Sequence, residues 1–273
     1  MLERSIPAGG ETLPAIGLGT WRAFDVGGSR AARAPLTEVL QRFVALGGRV
    51  IDSSPMYGAA ESVVGDLAGD LDLTDKLWLA TKVWTTGRQA GIAQMEQSLR
   101  RLRVRHLDLI QVHNLFDWRT HLATLRAWKA EGRVRHVGIT HYTSSAHDEL
   151  EGVLRSERVN FLQVNYSIGE PEAGRRLLPL ALDRGVAVLV NRPFSGGGLF
   201  SRIRRRPLPE WAKEFDCESW SQFFLKWILA DPAVTCVIPA TSKPDHLADN
   251  MAAGDGRLPD ASMRSRMSAW LAS

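Results

Sequence analysis

The fold is indicated most clearly by residues 107–140, which read LDLIQVHNLFDWRTHLATLRAWKAEGRVRHVGIT. The apolar runs LDLIQV (107–112) and HVGIT (136–140) are typical of buried strands. Apolar side chains between them recur at the three- and four-residue spacing of a helix; these are Leu122, Leu125, Ala127 and Trp128. Gly132 precedes the second run, where glycine supplies the positive φ that ends a helix. This order of strand, helix and strand predicts a parallel βαβ unit.

The same alternation continues along the whole chain. Further strand-like runs are AIGL (15–18), RVID (49–52), LWLAT (77–81), FLQVN (161–165), VAVLV (186–190) and VTCVI (234–238). Helical stripes between such runs include Leu36, Val39, Leu40 and Phe43, and then Leu150, Val153 and Leu154. Eight strands alternating with helices predict an α/β protein, a single-domain (β/α)8 barrel over residues 1–273. A doubly wound sheet is the alternative, but residues 17–20 (GLGT) lack the third glycine of a dinucleotide-binding fingerprint.

Composition places the chain among folded globular proteins. Of the 273 residues, 44% are hydrophobic and 23% are charged, which is enough apolar material for a large core. The two cysteines, Cys217 and Cys236, are too few for a disulfide framework, so a reducing compartment is expected. No apolar run reaches the roughly 18 residues of a membrane span, and residues 1–10 lack the apolar segment of a signal peptide. We therefore expect a cytoplasmic protein, although a chain whose export signal had been removed would read the same.

The net charge of +4 suits either nucleic acid or an anionic small molecule as a partner. The arginines concentrate in RRLRVR (100–105) and RIRRR (202–206). Neither run lies on a long basic helix or among interleaved aromatic residues. We interpret them as a solvated helix end and a solvated loop, and we expect a small-molecule partner, no nucleic acid and no membrane.

The longest interval between predicted strands, from residue 191 to residue 233, contains three consecutive glycines, Gly196 to Gly198. Glycine lets the backbone approach a ligand closely or lets a loop move. In a barrel, the loops after the seventh and eighth strands are the common phosphate-binding region. A plain flexible loop is the alternative interpretation.

Four polar residues fall at or near the C-terminal ends of predicted strands, where barrel enzymes place their chemistry. They are Asp52, Tyr57, Lys82 and His113. Taken singly, each has a structural explanation, such as a cap, a packing residue, a solvated lysine or a structural histidine. Taken together, Asp52 would pair with Lys82, whose charge would lower the pKa of Tyr57 below about 10. His113 would orient a carbonyl, so the set predicts protonation of an oxygen near neutral pH.

On these residues, and on segments from LPAIGLGTW (13–21) to IPATSKPDHLADN (238–250), the chain resembles the aldo-keto reductases. The resemblance implies a bacterial NADP-dependent enzyme that reduces aldehydes and ketones to alcohols by hydride transfer, with NAD possible as the cofactor. It implies catalytic roles for the four residues, with Tyr57 as the proton donor. It also implies a monomer or a weak oligomer.

The resemblance further implies which residues hold the nicotinamide end of the cofactor. They are Gly19, Thr20, Asp52, Thr140, His141, Gln163 and Asn191. Gln163 matches the family's carboxamide-binding glutamine. Thr140 and His141 replace the usual serine–asparagine pair, and Asn191 stands where many members have a tyrosine that stacks on the nicotinamide.

Two later segments are implied to hold the rest of the cofactor. Those expected to flank or cover the pyrophosphate are Arg192, Pro193, Phe194, Ser195, Gly197 and Leu199; those expected at the 2′-phosphate are Thr241, Lys243 and His246; those expected at the adenine are Asp249 and Asn250. Ala240 and His246 replace a common lysine and a common arginine. We therefore expect a preference for NADPH that is modest.

The residues expected to line an open substrate pocket are Trp21, Met56, Trp84, Asn114, Phe116 and Trp118. Two other functions stay open. A catalytically idle nicotinamide-binding regulator or sensor would be consistent with the altered positions 140, 141 and 191. A barrel isomerase or lyase acting on phosphorylated sugars would explain the glycine-rich loop but not the four polar residues. Metal catalysis lacks support, because the histidines and acidic residues near the strand ends show no standard ligand spacing.

Overall fold

A computed structural model describes residues 1–7 and 9–272; Ala8 and Ser273, which belong to the predicted domain, lie outside the described residues. The strands are β1 (Glu3–Ser5), β2 (Thr12–Pro14), β3 (Leu18–Gly19), β4 (Val50–Asp52), β5 (Trp78–Val83), β6 (Leu107–His113), β7 (Val134–Thr140), β8 (Phe161–Asn165), β9 (Ala187–Asn191) and β10 (Val234–Val237). From β3 to β10 they pair in parallel, each with its neighbour in the chain.

The sheet closes into a barrel because β3 and β10 meet. The amide of Gly17 donates to the carbonyl of Val237 at 2.8 Å, and the amide of Gly19 donates to the carbonyl of Pro239 at 3.0 Å. A Cβ at residue 19 would lie 2.8 Å from the carbonyl oxygen of Ile238, so this approach requires glycine. The predicted (β/α)8 barrel is confirmed. The first predicted strand, 15–18, starts too early, because residues 15–17 bond to β10 before regular pairing with β4 begins at Leu18.

The helices are α1 (Arg30–Ala45), α2 (Ala60–Asp70), α3 (Arg88–Leu102), α4 (Trp118–Ala130), α5 (His147–Ser156), α6 (Ala173–Asp183), α7 (Gly198–Arg202), α8 (Trp220–Leu229), α9 (Pro244–Ala252) and α10 (Ala261–Ala272). The predicted apolar stripes in α1 and α5 are buried. The stripe in α4 is buried too, except that Ala127 is half-buried. None of the helices in the described ranges is long and apolar enough to cross a membrane.

Apolar side chains form two layers. One fills the barrel and includes Val50, Trp78 and Phe161, each the first residue of its strand. Ile6 and Leu13 join this inner cluster from the antiparallel hairpin of β1 and β2, so the hairpin covers the N-terminal end of the barrel. The larger layer lies between the strands and the surrounding helices. The sequence did not predict the hairpin, because strands of three residues are too short to display alternation.

The long interval after β9 folds into α7, a 3₁₀ segment (Glu210–Phe215) and α8. Phe194, Phe200 and Phe224 pack together there, with ring centroids 5.0 to 6.4 Å apart. Gly196 and Gly197 have φ values of 66° and 94°, in the region that favours glycine. The glycine-rich loop is therefore fastened to the core by its aromatic neighbours.

The two arginine runs have different surroundings. Arg101 pairs with the buried Glu61 at 3.4 Å, and Arg103 pairs with Asp66 at 2.5 Å. The first run lies at the end of α3 with residues 100, 103 and 105 exposed, as predicted, and its ion pairs also hold α2 against that end. In the second run, residues 202, 204 and 205 are exposed, and their side chains form no ion pair within the described part of the chain.

Candidate active site

The C-terminal ends of three neighbouring strands bring the four predicted polar residues together. Asp52 ends β4 and His113 ends β6, while Tyr57 lies in the loop between β4 and α2. The predicted position of Lys82, directly after its strand, is wrong by two residues. β5 continues to Val83, so Lys82 lies within the strand. Its side chain is 0% exposed, so its charge must be balanced inside the protein.

Lys82 and Asp52 form a buried ion pair. The ammonium Nζ of Lys82 donates to Oδ2 of Asp52 at 2.6 Å and to the carbonyl oxygen of Ser53 at 2.7 Å. Burial lowers the pKa of Lys82, but the charge of Asp52 and the adjacent Tyr57 raise it, and the net direction is upward. Lys82 is therefore a cation at neutral pH, and removing either partner would leave an unpaired buried charge.

The pKa of Tyr57 moves opposite to the predicted direction. Burial raises it, Lys82 lowers it and Asp52 raises it, so the pKa lies above the ordinary value of 10.0. Lys82 does act as expected, since its Nζ lies 5.0 Å from the centroid of the Tyr57 ring. The predicted lowering is wrong because it omitted the cost of desolvating the phenolate. Tyr57 consequently keeps its proton throughout the neutral range.

His113 faces Tyr57 edge-on, with ring centroids 5.9 Å apart and planes at 83°. Its Nδ1 lies 3.0 Å from Oγ of Ser54, which accepts the amide of Met56 at 3.3 Å. The Ser54 hydroxyl can then donate to Nδ1, which leaves the imidazole proton on Nε2. Burial, followed by the charge of Lys82, lowers the pKa of His113 to about 2. His113 is therefore a neutral ring with one N–H to donate.

Two glutamines bind the second carboxylate oxygen of Asp52. Nε2 of Gln163 donates to Oδ1 at 2.8 Å, and Nε2 of Gln111 donates to it at 3.3 Å. Sequence reasoning missed Gln111 and Ser54. The available signals were an amide inside the apolar run LDLIQV and a serine pair directly after RVID. Both residues act by orienting the groups that they contact.

The residues predicted to hold the nicotinamide carboxamide form one hydrogen-bonded cluster. Oε1 of Gln163 accepts from the Thr140 hydroxyl at 3.1 Å and from Nδ2 of Asn191 at 3.4 Å. Asn191 also donates to the carbonyl of His141 at 3.2 Å. Nδ1 of His141 accepts the amide of Thr143 at 3.3 Å, so the ring proton lies on Nε2. Burial lowers the pKa of His141, which keeps the ring neutral.

Gly19 and Thr20 lie where β3 meets β4 and β10. The hydroxyl of Thr20 lies 3.0 Å from the carbonyl oxygen of Asp52 and 3.0 Å from Oγ of Ser53. This side chain fastens the end of β3 to the strand that carries Asp52. The position adjoins the four polar residues.

The predicted pyrophosphate residues after β9 differ in exposure. Pro193 and Leu199 are buried and Phe194 packs into the aromatic cluster, so their side chains stabilise the loop rather than line an open surface. The backbone of the exposed Gly197 remains accessible.

Arg192 and Ser195 have φ values of 51° and 48°, which are strained for residues with a side chain. Oγ of Ser195 lies 2.9 Å from Oγ of Ser167. Nη2 of Arg192 lies 3.9 Å from Glu170, and its buried Nε has no partner among the described residues. Arg192 is therefore a cation that its surroundings satisfy only partly.

The predicted adenosine segment lies at the start of α9. Lys243 and His246 are exposed and form no ion pair with any described residue. Oγ1 of Thr241 accepts the amide of Lys243 at 3.1 Å, and Asn250 is buried. Both oxygens of Asp249 accept hydrogen bonds at 2.8 Å from side chains at the start of α8. Asp249 thus joins α8 to α9, whatever further role it has.

The predicted pocket residues all follow strand ends at the same face of the barrel. Large apolar side chains exposed there are Trp21 (43%), Met56 (41%), Trp84 (41%) and Phe116 (45%). Trp118 and Asn114 are half-buried. The rings of Trp84 and Phe116 lie 6.2 Å apart. These residues leave an apolar, largely aromatic surface exposed at this face.

The fold and this arrangement belong to a known family. Residues 15–270 match the model of the aldo/keto reductase family, and the chain is therefore a member of that family of oxidoreductases. The methylglyoxal reductase YeaE of Escherichia coli is 28% identical over 96% of this chain and 93% of its own length. An NADH-specific methylglyoxal reductase of the same organism is 25% identical over 92% of each chain.

Solved structures have the same barrel. An aldo-keto reductase from Klebsiella pneumoniae in complex with NADPH has a TM-score of 0.80 and 25% identity over 99% of this chain and 96% of that chain. Another aldo/keto reductase structure from that organism, with NADP and acetate, has a TM-score of 0.80 and 24% identity over 96% and 93% of the two chains.

Proposed function

We propose that the protein is an NADPH-dependent reductase that converts aldehydes or ketones to alcohols. The observation that carries the proposal is a buried chain of contacts. Asp52 pairs with Lys82, and Lys82 lies beside Tyr57, whose phenol keeps its proton. The two similar methylglyoxal reductases support carbonyl reduction, and the similar structure with NADPH supports the cofactor. The NADH-specific relative is the reason to retain NADH as a weaker alternative.

The residues present fit a nicotinamide dinucleotide. Oδ1 of Asn191 is buried without a partner among the described residues and is an acceptor suited to a carboxamide. Arg192, with its incompletely satisfied guanidinium, and the exposed Lys243 suit phosphate groups. We propose that these residues, with Thr140 and Gln163, hold the cofactor. No group of three or more His, Cys, Asp or Glu within the described ranges is placed to hold a metal ion.

When bound, the reduced nicotinamide supplies a hydride to the substrate's carbonyl carbon. Tyr57 donates its proton to the carbonyl oxygen, so the C=O bond becomes a CH–OH group and Tyr57 is left as a phenolate. Solvent returns the proton to Tyr57. This assignment uses the neutral phenol that burial maintains.

Lys82 stabilises the phenolate that proton transfer leaves. Its ammonium has three N–H donors, of which two go to Asp52 and the carbonyl of Ser53. The third remains for the oxygen of Tyr57. His113 donates its Nε2 proton in a hydrogen bond to the substrate oxygen and so positions the carbonyl beside Tyr57.

Replacing Tyr57 with Phe tests the proposal, because it removes one hydroxyl and keeps the ring. With methylglyoxal and benzaldehyde as substrates, we expect kcat to fall at least about 100-fold while the NADPH dissociation constant barely changes. Tyr142→Phe, at an exposed tyrosine (47%) beside His141, is the matched control and should retain its activity. A Tyr57→Phe enzyme that keeps most of its kcat would disprove the proton-donor role. A wild-type protein that binds NADPH but reduces neither carbonyl would favour the idle regulator instead.

A further inference from the structure

Two tryptophans at the mouth of the barrel each have an arginine stacked on the ring. The guanidinium carbon of Arg22 lies 4.4 Å from the ring centroid of Trp21, and that of Arg119 lies 4.2 Å from the ring centroid of Trp118. Both arginines are exposed, and neither guanidinium forms an ion pair or hydrogen bond with any described residue. Each therefore presents free N–H donors whose direction is fixed by the ring beneath them.

The two pairs lie on either side of the proposed proton donor. Residues 21–22 follow β3, residues 118–119 begin α4 after β6, and Tyr57 follows β4. Because β3, β4, β5 and β6 are successive neighbours in the sheet, their loops surround the same part of the mouth. A substrate whose carbonyl reaches Tyr57 would extend outward between these loops.

The acidic residues nearest to these arginines in the sequence are already engaged. Oδ1 of Asp25 accepts the amide of Ala59 at 2.9 Å, which joins the loop after β3 to the loop of Tyr57. Oδ2 of Asp117 accepts the amide of Gly87 at 2.8 Å, and this hydrogen bond lowers the pKa of Asp117. These two carboxylates therefore hold neighbouring loops together and form no ion pair with Arg22 or Arg119. Both guanidinium groups remain available to a ligand, on loops that the hydrogen bonds hold in place.

Arginines elsewhere in the chain differ in this respect. Arg33, Arg135 and Arg257 each form an ion pair with a carboxylate at 2.7 or 2.8 Å, whereas those at 105, 158, 202, 204 and 205 are exposed and have no ion pair with any described residue. What sets Arg22 and Arg119 apart is the tryptophan ring beneath each guanidinium at the barrel mouth. Arg22 also has a φ of 59°, a left-handed conformation that is unfavourable for a residue with a side chain. Such strain is concentrated at functional sites.

We propose that the mouth selects carbonyl compounds that have a flat apolar body and carry a carboxylate at the end away from the carbonyl. The inference rests on the proposed function, since it assigns a substrate class to that same site. The body would lie against the exposed rings of Trp21, Trp84 and Phe116, and the carboxylate would accept paired hydrogen bonds from Arg22 or Arg119. A stacked guanidinium loses little freedom when it binds, which favours such a contact.

A matched pair of substrates isolates the anionic group. Benzaldehyde and 4-carboxybenzaldehyde share the reacting aldehyde and ring and differ by one carboxylate. We expect the wild-type protein to favour 4-carboxybenzaldehyde by about 10-fold or more in kcat/KM, the scale of one charge-assisted hydrogen bond. The variant Arg22→Met/Arg119→Met should lose this preference and keep its kcat/KM for benzaldehyde and its NADPH dissociation constant. Arg22→Lys/Arg119→Lys should recover part of the preference.

The control is Arg105→Met/Arg158→Met, which removes two exposed, unpaired charges at the opposite end of the barrel and should keep the wild-type preference. An unchanged preference in Arg22→Met/Arg119→Met would overturn the inference, as would equal losses for both aldehydes or weaker binding of NADPH.

Calorimetric binding of 4-(hydroxymethyl)benzoate, the product alcohol, needs no turnover. If the wild-type protein reduces neither aldehyde but binds this alcohol through Arg22 and Arg119, the proposed function fails and the inference about the mouth stands. If the two substitutions leave binding of this alcohol unchanged, the inference about the mouth fails and the proposed reductase function is unaffected.

Discussion

At the scale of single residues, burial acts on Tyr57 and His113 in opposite directions with the same result. It raises the pKa of the phenol and lowers that of the imidazole, because the charged form is an anion in one case and a cation in the other. Both groups are therefore neutral at pH 7, and each keeps an O–H or N–H that can donate a hydrogen bond. Lys82, by contrast, keeps its charge, because the carboxylate of Asp52 lies 2.6 Å from its ammonium nitrogen.

The low pKa of His113 makes a prediction about acid stability. In the folded protein the pKa is about 2, whereas in the unfolded chain it is near 6.5, so between these values the unfolded state binds the proton. The contribution to stability is complete above pH 6.5 and is lost as the pH falls toward 2. In His113→Gln, the loss in free energy of unfolding between pH 7 and pH 5 should be smaller than in the wild type by about 2 kcal/mol.

Urea unfolding at the two pH values measures this difference. His246→Gln, at an exposed histidine, controls for the substitution itself. An identical pH dependence in His113→Gln and the wild type would show that burial does not suppress protonation of His113.

At the scale of elements, α2 supports the strand that carries Lys82. Glu61 in α2 is fully buried and accepts the hydroxyl of Thr81, in β5, at 2.6 Å. Its other oxygen pairs with Arg101 at the end of α3. The helix therefore links β5 to α3, and the close packing of the two helices near Gly65 is part of the support for the site.

The contact at Gly65 predicts a contrast between two glycine-to-alanine changes. A Cβ at Gly65 would lie 2.1 Å from the carbonyl oxygen of Arg101, so Gly65→Ala should force the helices apart and destabilise the protein by about 1–3 kcal/mol. Gly152 in α5 has no neighbour within 4 Å of such an atom, so Gly152→Ala should instead stabilise by about 0.5–1 kcal/mol through helix propensity. The free energy of unfolding in urea measures both. A gain in stability from Gly65→Ala would contradict the close helix contact.

At the scale of the whole molecule, closure of the barrel joins segments that are far apart in the chain. The pairing of β3 with the end of β10 places the segment before α9 next to Gly19 and the strand of Asp52. The proposed adenosine end, at Lys243, and the proposed reacting end, at Tyr57, are thereby parts of one face.

The exposed Lys243 predicts how strongly the protein prefers NADPH to NADH. One charge-assisted hydrogen bond to the 2′-phosphate corresponds to a preference of roughly 10- to 100-fold. Lys243→Ala should raise the dissociation constant of NADPH about 10-fold or more and leave that of NADH nearly unchanged. Tryptophan quenching measures both constants, and Lys213→Ala, at another exposed lysine, is the control. Equal losses for the two cofactors would mean that Lys243 does not contact the 2′-phosphate.

The sequence by itself determined the strand and helix order, because apolar periodicity depends on neighbours a few residues apart. It also placed Asp52 and His113 at strand ends, since a polar residue directly after an apolar run is visible without coordinates. It could not place the hairpin of β1 and β2, whose contacts are with distant strands, or the closure at residues 15–17, where bonding to β10 replaces pairing with β4.

Only the tertiary structure decided the protonation states and the support of the site. The sequence predicted that Lys82 would lower the pKa of Tyr57, but the opposing effect of burial depends on how many groups from other elements surround the phenol. The part that Gln111 plays in the site also depends on the fold, which places its Nε2 3.3 Å from Oδ1 of Asp52. The physical reason is the same in each case. Local patterns record the period of an element, whereas desolvation and hydrogen-bond partners are set by residues that are far apart in the chain and adjacent only in the fold.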